Sequence, residues 1–120
     1  MITLRTDILD VPVAKSVILQ NREANTYQRT FVFRNLTGVP LTLYLEKSPT
    51  GGLAPADWDD IEPGFVVGAA GGGTDIVIKN VTDGNLIRVQ GQGGSEDRDL
   101  QVSLTTVYLD THHIWTTPAL

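Results

Sequence analysis

The chain has 120 residues, enough for one domain with a single buried core, and its 41% hydrophobic and 19% charged residues exclude a largely disordered chain. Fourteen acidic residues outnumber nine basic ones that are scattered singly, which argues against nucleic acid as a partner because phosphate binding requires clustered Lys and Arg. The absence of cysteine excludes disulfides and thiolate metal sites.

The chain begins with residues 1–13, in which Ile2, Leu4, Ile8 and Leu9 are the main apolar positions. This start lacks a basic region followed by an apolar stretch, and no apolar run in the chain is long enough to cross a membrane. Termini usually fray unless something ties them down. We therefore expect residues 1–13 to form an N-terminal arm outside the main domain that contacts another chain, with completion of the chain's own core as the alternative.

Residues 14–109 carry the alternation of apolar and polar residues that is typical of half-buried strands. Four strong and three weaker segments show it: 30–34, 41–46, 75–79, 100–105, and then 14–19, 65–67 and 86–90. Apolar residues at helical spacing never continue for three turns. About seven short antiparallel strands predict an all-β, two-sheet β-sandwich, and both immunoglobulin-like and jelly-roll-like connectivities remain open.

Turn residues between these segments predict how neighbouring strands connect. The short connector around Gly38 and Pro40 predicts that Tyr27–Arg34 and Leu41–Lys47 form a hairpin. The glycine-rich stretch 68–73 precedes a strand, not a helix, and lacks the lysine of a phosphate-binding loop. We therefore interpret it as a turn.

The last strand runs from Arg98 to about Leu109 and changes its alternation along the way. Its first apolar residues share one face, whereas Val107 and Leu109 fall on the other. Either a β-bulge near Thr105 restores the phase, or a partner chain covers both faces there. Residues 110–120 follow as a C-terminal arm for which we again favour contacts with another chain; its candidate contact residues are His112, His113, Ile114 and Trp115.

None of the residues with catalytic or metal-binding side chains forms a recognisable site. His112 and His113 are adjacent, so in an extended segment they point to opposite sides and cannot easily bind one ion. The acidic residues around Asp57 and Asp97 lack the spacing of a calcium loop and are interpreted as solvated loop carboxylates. We therefore predict a protein without enzymatic activity, metal or cofactor.

Trp58, flanked by acidic residues after a glycine turn, is the most informative aromatic residue. Such a tryptophan most often covers the end of a sandwich with its large ring. The functional alternative is stacking against a carbohydrate.

Five segments in order carry a family resemblance: Ser48-Pro-Thr-Gly-Gly52, Ala56-Asp-Trp-Asp-Asp-Ile61, Thr74-Asp-Ile-Val-Ile78, Asn85-Leu-Ile-Arg-Val-Gln90 and Leu100-Gln-Val-Ser-Leu104. Over residues 27–109 this order resembles small β-sandwich structural proteins of tailed bacteriophage virions, of the capsid decoration (cement) or tail accessory type. The resemblance carries over no catalytic residue.

The resemblance implies a non-enzymatic virion component, with capsid decoration as the leading function. Its partners would be further copies of the chain, with a trimer favoured, and the major capsid protein or other virion proteins, but neither nucleic acid nor a membrane. Its location would be the virion, after synthesis in the host cytoplasm. A tail or fibre component that binds host-surface carbohydrate is the alternative. The expected interface comprises Ile2, Leu4, Ile8, Leu9, Val107, Leu109 and the four residues of the C-terminal arm.

Overall fold

The computed structural model describes residues 2–22, 26–48, 57–82 and 86–108, which contain eight antiparallel β-strands and no α-helix. The strands are β1 (Ile2–Leu9), β2 (Ser16–Asn21), β3 (Thr26–Asn35), β4 (Leu41–Ser48), β5 (Asp59–Val67), β6 (Ile76–Val81), β7 (Leu86–Gln92) and β8 (Leu100–Tyr108). They form two four-stranded sheets, so the prediction of an all-β, two-sheet sandwich is confirmed.

The strand order identifies the connectivity that the sequence left open. The first sheet has the order β1-β8-β3-β6 and the second has β2-β7-β4-β5. The pairs β1·β8, β2·β7, β3·β6 and β4·β5 are those of one long antiparallel hairpin that has been rolled up into two sheets. This is the jelly-roll arrangement of eight strands, and it differs from the seven-stranded immunoglobulin order.

The core lies between the two sheets and is made by alternate residues of the central strands. Phe31 and Phe33 of the first sheet face Leu41, Leu43 and Leu45 of the second, and all five are fully buried. Full burial of such side chains stabilises a fold by about 1.5–3 kcal/mol each. The Phe33 ring also lies 5.6 Å from the Phe65 ring of the other sheet, centroid to centroid.

The N-terminal residues do not lie outside the sandwich, as the sequence suggested, but form strand β1. This strand pairs with β8 along its whole length, from Ile2 opposite Val107 to Leu9 opposite Leu100. The sandwich therefore begins at residue 2, and β1 is the eighth strand that the sequence reading missed. The polar residue Thr6 interrupts the apolar alternation of Ile2, Leu4 and Ile8, which weakens the strand signal.

The predicted hairpin between β3 and β4 is wrong, because the two strands lie in different sheets. The connector between them crosses from one sheet to the other and is held by the Asn35 side chain. Its Nδ2 donates to the Val39 carbonyl at 2.7 Å, and its Oδ1 accepts from the Thr37 amide at 2.8 Å. A short connector with turn residues fits a crossover as well as a hairpin, so its length alone could not discriminate.

Strand β8 keeps its alternation without a bulge. Its register with β1 is continuous through Thr105 and Thr106, and the irregularity in its pairing with β3 falls between Thr26 and Gln28. Thr106 continues the inward face and is almost completely buried, whereas Val107 points outward. The apolar residues change face after Leu104 because Thr106 occupies the next inward position.

Candidate functional site

The outer face of the first sheet carries almost no charge. The registers of β1, β8, β3 and β6 place fifteen side chains on it. Seven are aliphatic, seven carry a hydroxyl or an amide, and one, Arg34, is charged. The aliphatic members are Ile2, Leu4, Ile8, Val32, Ile76, Ile78 and Val107.

Five of the seven aliphatic side chains of this face stand on its two edge strands, β1 and β6. Ile2 and Leu4 of β1 are 68% and 70% exposed, and Ile76 and Ile78 of β6 are 53% and 60% exposed. Single exposed aliphatic residues are common, whereas several on one sheet face that carries a single charged residue make this face a candidate interaction surface.

The middle of the outer face is polar but internally hydrogen-bonded. The Thr6 and Ser103 hydroxyls lie 3.2 Å apart, and the Thr30 hydroxyl donates to Asn80 Oδ1 at 2.8 Å. Gln28 donates to the same Asn80 oxygen at 3.1 Å. Because these groups pair with one another, covering the face costs less than burying unpaired polar groups would.

Strand β6 presents its more hydrophobic side to solvent, opposite to the usual arrangement. Lys79 lies opposite the buried Phe31 in register, with its amine 4.8 Å from the centre of the Phe65 ring and 3.3 Å from Glu62 Oε1. Ile76 and Ile78, which the alternation suggests as the buried side, consequently point outward. The sequence reading missed them as surface residues because it assumed that the more apolar side faces the core.

The outer face of the second sheet is chemically different. The Arg88 side chain donates to Glu46 Oε1 at 2.7 Å, and Gln90 donates to the same oxygen at 2.8 Å. The Arg88 guanidinium also lies 4.1 Å from the centre of the Trp58 ring. The charged and aromatic groups of this network are therefore satisfied within the chain.

A second aromatic contact on that face follows the same principle. The Lys15 amine lies 4.0 Å above the Tyr44 ring, whose hydroxyl donates to Gln92 at 2.9 Å. A cation over a ring face is attracted by the ring's quadrupole. A sugar that stacked on these sides of Tyr44 or Trp58 would have to displace Lys15 or Arg88, so the geometry does not favour the carbohydrate alternative for half-buried Trp58.

The predicted interface residues divide into three groups. Ile2, Leu4, Ile8 and Val107 lie on the outer face of the first sheet. Leu9 instead packs against the core. The remaining five lie outside the described residues, where their contact role stays a prediction: Leu109, His112, His113, Ile114 and Trp115.

Asp99 was interpreted from the sequence as one of several solvated carboxylates, but the structure buries it completely. It accepts hydrogen bonds from the amides of Val11, Ser95 and Asp97 and from the Ser95 hydroxyl, at 2.6–3.2 Å. Burial alone raises the pKa of this carboxyl, but the hydrogen bonds together bring the pKa below its ordinary value. Asp99 therefore joins the connector after β1 to the loop before β8 and has a structural role.

The described residues contain no group of three potential metal ligands and no helix that could cross a membrane. A cleft of about 500 Å³ opens beside the ends of β4, β5 and β6, and its polar lining includes Lys47, Asp60 and Asn80. These groups form neither a nucleophile–base pair nor a pair of facing carboxylates. The cleft therefore does not indicate an enzymatic reaction.

Comparison with known proteins supports the fold only. No protein-family model matches the chain, and no characterised protein matches its sequence. The chain is similar in structure to a chain from a study described as "Bacillus endospore appendages form a novel family of disulfide-linked pili". The TM-score is 0.54, the match covers 89% of this chain and 88% of that chain, and the sequence identity is 13%.

Proposed function

We propose that this chain is a non-enzymatic structural subunit that assembles in many copies through the outer face of its first sheet. The observation that carries the proposal is the orientation of β6, which exposes Ile76 and Ile78 while Lys79 points inward. Exposing the more apolar side of a strand is unfavourable in an isolated chain, and a partner that covers it removes this cost.

The size of the face indicates what kind of assembly it supports. Four strands spaced by about 4.8 Å and six residue steps of about 3.4 Å give a face of roughly 20 by 20 Å. This is smaller than the roughly 800 Å² per partner of a standard specific interface. A contact of this size gives weak association that becomes detectable at high protein concentration, and attachment of many copies to a repeating lattice strengthens it.

The particle that we propose first is a bacteriophage virion, with the chain as a capsid decoration protein. The sequence resemblance over residues 27–109 supports this assignment, and jelly-roll domains are common in viral capsids. In this function the chain forms a homo-oligomer, with a trimer favoured, and binds the major capsid protein. It would be made in the host cytoplasm and located on the virion.

A filamentous bacterial appendage is the second candidate, favoured by the fold similarity to the endospore appendage chain. Those pili are described as disulfide-linked, whereas the present sequence has no cysteine. Any filament built from this sequence is therefore held without disulfides.

Two matched substitutions test the assembly face. Ile78 on the first sheet and Val66 on the second are 60% and 59% exposed, and both are β-branched residues on edge strands. We expect Ile78→Lys to weaken self-association by about tenfold, as a charge enters an apolar contact, and Val66→Lys to leave it unchanged. Sedimentation velocity over a concentration series measures both. Equal behaviour of the two variants, or a wild-type chain that stays monomeric, contradicts the proposal.

Electron microscopy of intact assemblies separates the two particle types. Threefold clusters on a closed shell would support capsid decoration, whereas a helical array of copies would support the appendage. Copies arranged as rings around an axis would support a tail component.

A further inference from the structure

Strand β1 has a free edge with the properties of a pairing template. Among the described residues, β8 is its only neighbouring strand. The Leu9 carbonyl accepts from the Asp99 amide on the β8 side at 2.9 Å, and antiparallel pairing uses alternate residues. The peptide groups directed to the free edge are therefore those of Ile2, Leu4, Thr6 and Ile8.

The other three edges of the sandwich carry a proline, register shifts or an inward charge that its own strand does not balance, whereas the two inner-side charges of β1, Arg5 and Asp7, are of opposite sign and lie 2.7 Å apart. Strand β5 contains Pro63 and two register shifts, and β2 contains one shift. Strand β6 is shorter and points Lys79 into the sandwich. Bulges, proline and inward charges are the usual ways in which proteins block edge pairing. Strand β1 has eight residues, neither proline nor glycine, and an unbroken register with β8.

The space around β1 is open on both sides of the sheet. The Leu4 side chain on the outer side is 70% exposed, and the Arg5 side chain on the inner side is 71% exposed. The second sheet therefore does not extend over this part of β1. Within the part of the chain that the structure describes, no strand occupies this edge, so an additional strand can pair there.

The sequence of β1 is complementary to itself when it is reversed about Thr6. In an antiparallel pair of two copies centred on Thr6, Leu4 lies opposite Ile8 of the second copy on the outer side. Arg5 lies opposite Asp7 of the second copy on the inner side, and the reverse pair repeats both contacts. Apolar and opposite-charge pairs in these positions stabilise antiparallel sheets.

Neighbouring registers lack this complementarity. Centring the pair on Arg5 places two arginines opposite each other, and centring it on Asp7 places two aspartates opposite each other. Like charges directly opposite are destabilising. The Arg5 Nε already lies 2.7 Å from Asp7 Oδ2 within one copy, so the Thr6 register would bring four alternating charges together.

We propose that β1 of one copy pairs with β1 of a second copy around a twofold axis at Thr6. The pair joins two four-stranded first sheets into one continuous eight-stranded sheet. Backbone hydrogen bonds supply the affinity, and the Arg5–Asp7 pairs set the register. The inference rests on the proposed function, since it specifies one contact through which the structural subunit assembles, a twofold contact separate from the threefold contacts of a trimer.

Cysteine cross-linking tests this pairing directly, because the natural sequence has no cysteine. In the proposed register, a cysteine at position 6 faces itself across a hydrogen-bonded pair with a Cα separation of about 5.5 Å, which a disulfide can span. A cysteine at position 4 lies about four residues, or roughly 14 Å, from its counterpart. Leu4→Cys on the same face of the same strand is therefore the matched control for Thr6→Cys.

We expect Thr6→Cys to give at least about tenfold more disulfide-linked dimer than Leu4→Cys under mild oxidation on a non-reducing gel. Circular dichroism verifies that both variants fold. Equal cross-linking of the two variants, preferential cross-linking of Leu4→Cys, or no cross-linking of either contradicts the register.

A charge exchange provides a second readout that does not depend on sulfur chemistry. Arg5→Asp places aspartate opposite Asp7 of the second copy and should weaken the dimer by about tenfold, because two ion pairs become repulsions. The double variant Arg5→Asp/Asp7→Arg restores opposite charges and should return the dissociation constant to within about twofold of wild type. A double variant no better than the single variant contradicts the pairing.

The outcomes also separate this inference from the proposed function. Self-association that responds to Ile78→Lys but gives no Thr6→Cys dimer overturns the edge pairing and leaves the assembly face intact. A Thr6→Cys dimer with no response to Ile78→Lys supports the edge pairing and overturns the assembly face.

Discussion

The two outer faces of the sandwich differ in whether their side chains are covered by contacts within the chain. On the second sheet, Glu46, Arg88 and Trp58 bind one another, so the charged and aromatic groups have partners within the chain. On the first sheet, Ile76 and Ile78 have no such cover from the described residues. The first face is mainly aliphatic and uncovered by the described residues, whereas the charged and aromatic groups of the second face contact one another.

The largest loss of stability that we predict concerns Asp99, in the loop between β7 and β8 that joins the two sheets. It is the reference for the smaller effects that we predict on the two outer faces. Asp99→Ala should lower the free energy of unfolding by about 3–5 kcal/mol, since it leaves three amides and one hydroxyl without their acceptor. Urea denaturation measures the loss. A loss below about 1 kcal/mol would show that water reaches these amides and that Asp99 does not hold the loop in place.

The same carboxyl makes the fold sensitive to acid. The pKa of Asp99 is lower in the folded chain than the ordinary value of 3.8, so its contribution to stability is fully present above that value. The contribution is lost as the pH falls through the folded pKa. Asp99→Asn should flatten this part of the stability-against-pH curve, and an unchanged curve would contradict the assignment. The outer face of the first sheet carries no carboxyl, so its contacts should not titrate there.

The next prediction concerns the outer face of the second sheet. Glu46→Leu leaves the mostly buried Arg88 guanidinium and the Gln90 amide without their shared acceptor. We expect it to cost about 2 kcal/mol, less than the 3–5 kcal/mol of a fully buried pair. The double variant Glu46→Leu/Arg88→Leu should recover part of this loss. If Glu46→Leu is neutral in urea denaturation, the face is not held by this network.

The smallest predicted effect compares two adjacent residues of β6. Val77 packs against the core and Ile78 faces solvent, although the sequence alternation suggests the reverse. Val77→Thr should cost about 1 kcal/mol, because it places a hydroxyl against apolar side chains. Ile78→Thr should change stability by less than about 0.5 kcal/mol. The opposite order in thermal unfolding would mean that β6 presents its other side to solvent, which contradicts the observation that carries the proposed assembly face.

The fold class was accessible from sequence because alternation in β3, β4 and β8 is strong and their buried residues are those expected. Leu41, Leu43 and Leu45 point inward, and so do Leu100, Val102 and Leu104. Strand pairing was not accessible, since a connector such as residues 36–40 suits either a hairpin or a crossover. Pairing depends on contacts between strands that are distant in sequence, and local patterns do not encode those contacts.

The sequence predicts part of the candidate surface, namely Ile2, Leu4, Ile8 and Val107. It does not predict the part on β6, where the more apolar side of the strand faces solvent and not the core. Val77 and Lys79 bury a smaller apolar surface than Ile76 and Ile78 would, but the Lys79 amine gains contacts with Phe65 and Glu62. Those contacts come from the opposite sheet, so no local pattern reveals them.

The pairing of the first strand with the last has a consequence for the order of events during synthesis. Ile2 meets Val107 and Leu9 meets Leu100, so β1 has no neighbour until the ribosome has produced almost the whole described chain. Contacts between residues so far apart in sequence close late and slowly. Neither the apolar face nor the free edge exists before β8 is inserted between β1 and β3. The proposed surfaces for association therefore become available only after β8 is in place.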